Sequence, residues 1–233
     1  MNIHVLQHLP VEDAAHVADW ARDRGHRLTR TALHAGEALP PLTGVDLAVV
    51  LGGSMSVNDE AEYPWLRQEK AWIKAALHGG KRVLGICLGA QLMADVLGGP
   101  VTKNRWREIG WHPVNLCAPE RPATGLFAGF PETLTVFHWH GDTFALPPGA
   151  TRLAASEACA NQAFLWGDRA VGLQFHLEYA AGTIEAMLGE FGDDLRAGGP
   201  FVQTAEQIRA QLHRVPELHQ WLERFLDRLA AVG

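Results

Sequence analysis

Apolar residues along the first hundred positions fall into short continuous runs and into stripes recurring every three or four residues, which predicts strands interleaved with helices. Ile3 to Leu6 reads as a first strand. Val11 to Arg24 follows as a helix, with Ala14, Val17, Ala18 and Ala21 at helical spacing and Gly25 as its stop. The near-continuous run Val45 to Leu51 has the character of a strand covered on both faces, and it ends at Gly52-Gly53. From about Pro64 to His78, Trp65, Trp72, Ile73, Ala76 and Leu77 form one helical stripe closed by Gly79-Gly80. Val83 to Ile86 is then a short buried strand that runs almost without a loop into a helix from about Gly89 to Leu97, with Cys87 at the junction.

Beyond residue 100 the pattern changes to strand-like runs, among them Thr133 to Trp139, Arg152 to Ala155 and Ala170 to Phe175, broken by clusters such as Pro147-Pro148-Gly149. Here strands are better specified than their order. The tail, about 205–232, is helical apart from Pro216, and Leu218, Trp221, Leu222, Phe225, Leu226 and Leu229 give it an apolar stripe. The simplest role for that stripe is packing on the same domain, with a homo-oligomer contact as the alternative. The whole order predicts an α/β fold of three layers, a mostly parallel central sheet with helices on both faces, in a single domain spanning residues 1–233.

A hydrophobic content of 47% is enough for one sizeable core. The formal net charge of -6, with both signs interspersed, argues against nucleic acid or a membrane surface as a partner. No run of about 18 apolar residues occurs and no basic leader precedes one, so a soluble, unexported, cytoplasmic protein is expected. Cys87, Cys117 and Cys159 are an odd, widely spaced set, which suits free thiols in a reducing compartment.

Gly85-Ile86-Cys87-Leu88-Gly89 has the small-x-nucleophile-x-small form of a strand-to-helix elbow. Its glycines permit a tight turn that pushes the central side chain out at the carboxyl edge of a sheet, and a thiol there meets the positive end of the next helix, which favours thiolate. A buried structural cysteine is the plainer role for a lone thiol, and the elbow is what argues for a nucleophile. A base is offered by Gly172-Leu173-Gln174-Phe175-His176-Leu177-Glu178. In an extended chain Gln174, His176 and Glu178 share one side, so a carboxylate can fix the imidazole tautomer and leave the other ring nitrogen for the thiol. A surface histidine beside a solvated glutamate is the alternative for that pair taken alone.

Gly85-Ile86-Cys87-Leu88-Gly89-Ala90-Gln91, followed by His176-Leu177-Glu178, resembles the signature of class I glutamine amidotransferases over most of the chain. Leu51-Gly52-Gly53-Ser54, Arg107-Glu108-Ile109-Gly110 and His140-Gly141-Asp142 look most like free-standing proteins similar to the glutaminase domain of GMP synthetase. The resemblance implies a flavodoxin-like sheet and the catalytic set Cys87, His176 and Glu178, which would hydrolyse the γ-amide of glutamine or a γ-glutamyl compound. It also implies an oxyanion hole from Gly53 and Leu88, and a substrate site from Gly52, Gln91, Trp139, His140 and Asp142. No cofactor or metal is implied, and a separate synthetase or acceptor subunit is a candidate partner. Leu177 and Ser54 stand where the family usually has proline.

Two rival classes remain. His138-Trp139-His140-Gly141-Asp142 could begin a zinc hydrolase site through His138, His140 and Asp142, although Thr143 stands where that pattern wants a further histidine. Cys87 could instead be an oxidisable sensor thiol, against which Gln91 and the His176-x-Glu178 pair argue. Among amidotransferase roles, the choice lies between a subunit delivering ammonia to a partner and a free-standing γ-glutamyl hydrolase. Neither a P-loop nor a Ser-Gly-Gly-x-Asp-Ser pyrophosphatase signature is present.

Overall fold

The run around residues 45–51 is apolar except at Asp46 because it lies in the interior of a sheet with nine strands among the described residues. The structure, a computed structural model, describes residues 1–117 and 125–232. Strand β1 (Asn2–Gln7) pairs in parallel with β2 (Arg27–Ala32) and β3 (Leu47–Val50), β3 with β4 (Arg82–Ile86), and β4 with β9 (Ala170–Leu173). From β9 the sheet continues antiparallel through β8 (Ala163–Trp166), β7 (Ala150–Ala155), β5 (Val101–Leu116) and β6 (Thr133–Phe144). The expected parallel sheet is thus one half of a mixed sheet.

Alternating residues of β3, with Leu51 just after it, feed two cores. Leu47, Val49 and Leu51 pack with α1 (Ala15–Asp23), α4 (Ala181–Glu190) and α6 (Val215–Ala231), while Ala48 and Val50 pack with α2 (Trp65–His78) and α3 (Leu88–Val96) on the opposite face. The apolar stripe of α6 is spent inside this chain, with Leu222, Phe225, Leu226 and Leu229 fully buried. Pro216 falls in the first turn of α6, where a missing N–H breaks no helical bond, so it opens that helix. A short helix, α5 (Ala205–Arg209), precedes it behind a capping box of Thr204 and Gln207. Among the described residues no helix is long and apolar enough to cross a membrane.

The first helix starts four residues later than its alanine spacing suggests. Asp13 Oδ1 accepts the Ala15 N–H at 2.9 Å and Ala15 takes φ 39°, so residues 11–14 form a loop that turns Glu12 inward. Strands β2, β5 and β8 add to the runs expected from sequence.

The loops after β3 and β4 both emerge at the carboxyl edge of the sheet, which places Gly52-Gly53 near Cys87. Cys87 is the hinge of the second loop, with φ 51° and ψ -107°, and its N–H donates to Leu173 O at 2.7 Å. The Gly89 N–H donates to Leu51 O at 3.1 Å. A Cβ at Gly85 would lie 2.6 Å from the Gly89 backbone, and one at Gly89 would overlap the Val50 carbonyl. Gly89→Ala is therefore expected to destabilise the fold by about 1–3 kcal/mol or more, whereas Gly189→Ala, with open space around it in α4, should stabilise by about 0.5–1 kcal/mol. Equal melting temperatures for the two variants would refute the contact.

Candidate active site

A cavity of about 420 Å³ opens at this edge, with Cys87, His176 and Gly53 in its wall. Gln91, Trp139, His140 and Asp142 line it too, so the structure gathers these seven sequence candidates in one place. Glu178 lies behind His176, and Gly52 and Leu88 behind the wall. Leu88 opens α3, where a first-turn N–H has no helical acceptor, and its side chain packs into the α2–α3 core.

His176 Nδ1 donates to Glu178 Oε1 at 2.6 Å, and Glu178 Oε2 accepts the Leu177 N–H at 3.0 Å. The His176 N–H donates to Phe137 O at 2.8 Å, so β6 holds the segment that follows β9. Burial works against a charged imidazole here, but Glu178 and Cys87 outweigh it and raise His176 well above its usual 6.5. Trp139 O lies 3.8 Å from Cys87 Sγ.

Several contributors were not anticipated from sequence. Tyr179 stacks on His176 at 4.1 Å between centroids and donates its hydroxyl to Glu12 Oε2 at 2.6 Å. Burial raises the Glu12 carboxyl, with His176 and the Tyr179 hydroxyl opposing. Gly52 has no space for a side chain because Glu12 and His176 close over it. Gln174 Nε2 points at Cys87 Sγ, 3.6 Å away, and Gln174 Oε1 accepts from Gln91 Nε2 at 3.1 Å, so Gln91 reaches the thiol through a second amide. Its place on the His176 side of the chain was the available signal.

A second buried pair sits under the glycine loop. His8 Nδ1 lies 2.7 Å from Gly52 O and Nε2 lies 2.7 Å from Glu69 Oε1. Both ring nitrogens face acceptors, and Glu69 raises the His8 imidazole against the opposing effect of burial. The Gly52 carbonyl belongs to the same rigid peptide unit as the Gly53 N–H, so holding one orients the other.

The suggested zinc triad does not assemble as written. The Asp142 carboxylate pairs with Lys103 at 2.7 Å, and the group that meets His138 and His140 is Glu108.

With this geometry in view, the sequence profile described as "Glutamine amidotransferase class-I" matches residues 18–192. The chain belongs to that family. This amidotransferase is 35% identical to the glutamine amidotransferase-like protein YfeJ of Salmonella typhimurium, over 98% of this chain and 97% of that protein. It is 41% identical to a glutamine-hydrolysing GMP synthase of Thermomicrobium roseum, over 57% of this chain but only 23% of that protein. A crystal structure of a glutamine amidotransferase from Thermotoga maritima superposes with a TM-score of 0.89 at 33% identity, covering 100% of this chain and 99% of that one.

The raised His176 value makes a prediction about pH. A group protonated more readily when folded adds stability that is complete below its unfolded value of about 6.5 and fades as pH rises through the folded value. The melting-temperature gap between wild type and Glu178→Gln should be widest below pH 6.5 and shrink on the alkaline side. NMR titration of His176 should show its pKa falling in Glu178→Gln, because burial then acts with less opposition. An unchanged titration would sever the link between the two residues.

Proposed function

We propose that this amidotransferase hydrolyses the γ-amide of glutamine or of a γ-glutamyl compound through a thioester on Cys87. The observation that carries this reading is the thiol on a strained elbow at the start of α3, sharing a cavity with an imidazole whose Nδ1 is held by Glu178 at 2.6 Å. That hydrogen bond leaves Nε2 for the thiol proton, and the raised proton affinity of His176 favours the imidazolium in the resting pair.

In the proposed cycle the Cys87 sulfur bonds to the substrate carbonyl carbon, whose oxygen takes negative charge facing the N–H groups of Gly53 and Leu88. The C–N bond then breaks as His176 passes its proton to nitrogen, and ammonia or an amine leaves. Water adds to the thioester with His176 as base, the C–S bond breaks, and the γ-carboxylate product departs with the thiol restored. Gln91, Asp142, Gly52 and the backbone around Trp139 and His140 are assigned to the substrate. His8 and Glu69 join this set as positioning residues, through the Gly52 carbonyl.

The match to YfeJ over nearly all of both chains suits the free-standing γ-glutamyl hydrolase reading in extent only, while the partial match to GMP synthase suits a glutaminase that delivers ammonia to an acceptor domain or subunit. ATP-independent turnover of a γ-glutamyl amide by the purified chain would favour the first. Three free thiols fit a reducing, cytoplasmic setting.

Cys87→Ala is expected to lower turnover by at least about 10³-fold, with Cys117→Ala and Cys159→Ala near wild type. Acid quenching and mass spectrometry should find a γ-glutamyl adduct on Cys87, and persistence of turnover in Cys87→Ala would end the proposal. For the glycine loop, His8→Ala should reduce kcat by about 10–100-fold with little change in KM, since a mis-aimed oxyanion donor is felt in the transition state. A change confined to KM would contradict that role.

A further inference from the structure

His138 and His140 stand two residues apart on β6, so both side chains leave the same face, and Glu108 is the direct cross-strand partner of His140 on β5. The three groups converge in a region closed to solvent, with His138 0%, Glu108 1% and His140 5% exposed. His140 Nε2 lies 3.1 Å and His138 Nδ1 3.7 Å from Glu108 Oε2, and one ligand atom from each residue falls within 4.8 Å of the others. Tetrahedral zinc, with bonds of about 2.0–2.1 Å, spaces its ligand atoms about 3.3 Å apart.

The polar groups here are left incomplete in a way that an ion would complete. Among the described residues, neither ring nitrogen of His138 has a hydrogen-bond partner, and neither does Glu108 Oε1. Buried imidazoles and carboxylates ordinarily find partners. Glu108 forms no pair with lysine or arginine among the described residues; its ion-pair contacts are the two histidines. The surroundings also orient the donors. The Asp142 carbonyl accepts from His140 Nδ1 at 3.0 Å, which turns the Nε2 lone pair toward Glu108. Gln162 Nε2 and Ser156 Oγ donate to Glu108 Oε2 at 2.6 and 3.2 Å, leaving Oε1 open.

We propose that Glu108, His138 and His140 bind a divalent transition-metal ion, zinc fitting the two-imidazole, one-carboxylate donor set best, as a structural site on the β5–β6 hairpin. This departs from the sequence expectation of no metal, and it replaces Asp142 with Glu108. Its ligands are separate from the groups assigned to the chemistry at Cys87. The ion would tie β5 to β6 on either side of Trp139, whose carbonyl faces the Cys87 thiol.

The test uses the Cys87→Ala chain, so that zinc held by that thiol is not counted. Zinc-loaded protein, dialysed and measured by elemental analysis, should carry about one zinc per chain. Its melting temperature should fall with a chelator and recover with zinc. Cobalt(II) added to the stripped protein should give the visible absorption of a four-coordinate site. Glu108→Gln and His138→Gln should lose the metal and the thermal response, while His112→Gln, a neighbouring histidine outside the cluster, should keep both. If either cluster variant fails to fold, the zinc, cobalt and melting results on the Cys87→Ala chain alone decide. No bound zinc, no cobalt band and no thermal response would overturn the site, as would metal retained by both cluster variants.

Discussion

The architecture turns on a place where two backbones meet with no room for a side chain. At Gly89 the start of α3 lies against the Val50 carbonyl of β3, and at Gly85 the end of β4 lies against Gly89. Strand and helix can be this close only if the chain reverses within one residue, and Cys87 takes that turn at φ 51°. Two hydrogen bonds, to Leu173 O and Leu51 O, hold the turn between β9 and the glycine loop. From Leu88 to Ala94 every residue of α3 is buried, so the strained residue is anchored by the most enclosed helix of the fold.

Around this turn, distance decides how buried imidazoles behave. His176 and His8 each have a carboxylate oxygen within 2.7 Å, and both are raised although burial opposes the charge. His138 has its nearest carboxylate at 3.7 Å, burial prevails, and its pKa is pushed down to about 3. The shorter carboxylate contacts go with the raised imidazoles, and at His138 the neighbouring His140 and His112 add to burial in lowering the value.

The inner parallel strands were legible because they are buried on both faces and the helices beside them end at glycine: Val45 to Leu51, Val83 to Ile86 and the stripe from Trp65 to Leu77 could be read from spacing alone. The edge strand β2 was not, since Arg27, Thr29 and Arg30 face water and dilute its pattern. Strand β5 mixes mostly exposed residues at 102–107 with buried ones at 108–111 across a register shift, so neither periodicity persists along it. In the candidate site, Cys87, His176 and Glu178 were readable from local motifs. Glu12 was hidden by helical spacing that continues into its loop, and His8 with Glu69 by a separation of 61 residues that only the sheet brings together.

Cys87 and much of the cavity wall come from different halves of the sheet. Cys87 and the glycine loop belong to the parallel strands, whereas Trp139, His140, Lys103 and Arg107 line the cavity from the antiparallel hairpin of β5 and β6. Besides the β9–β8 pairing, the halves meet at the backbone of His176, which follows β9 and whose N–H donates to Phe137 O of β6. A change in the hairpin would therefore reshape the wall while leaving the elbow intact, provided the bridge at His176 survives. The proposed ion at Glu108, His138 and His140 would act at that boundary: it would tie the hairpin together one residue beyond the bridge and so hold the wall and His176 in register with the thiol.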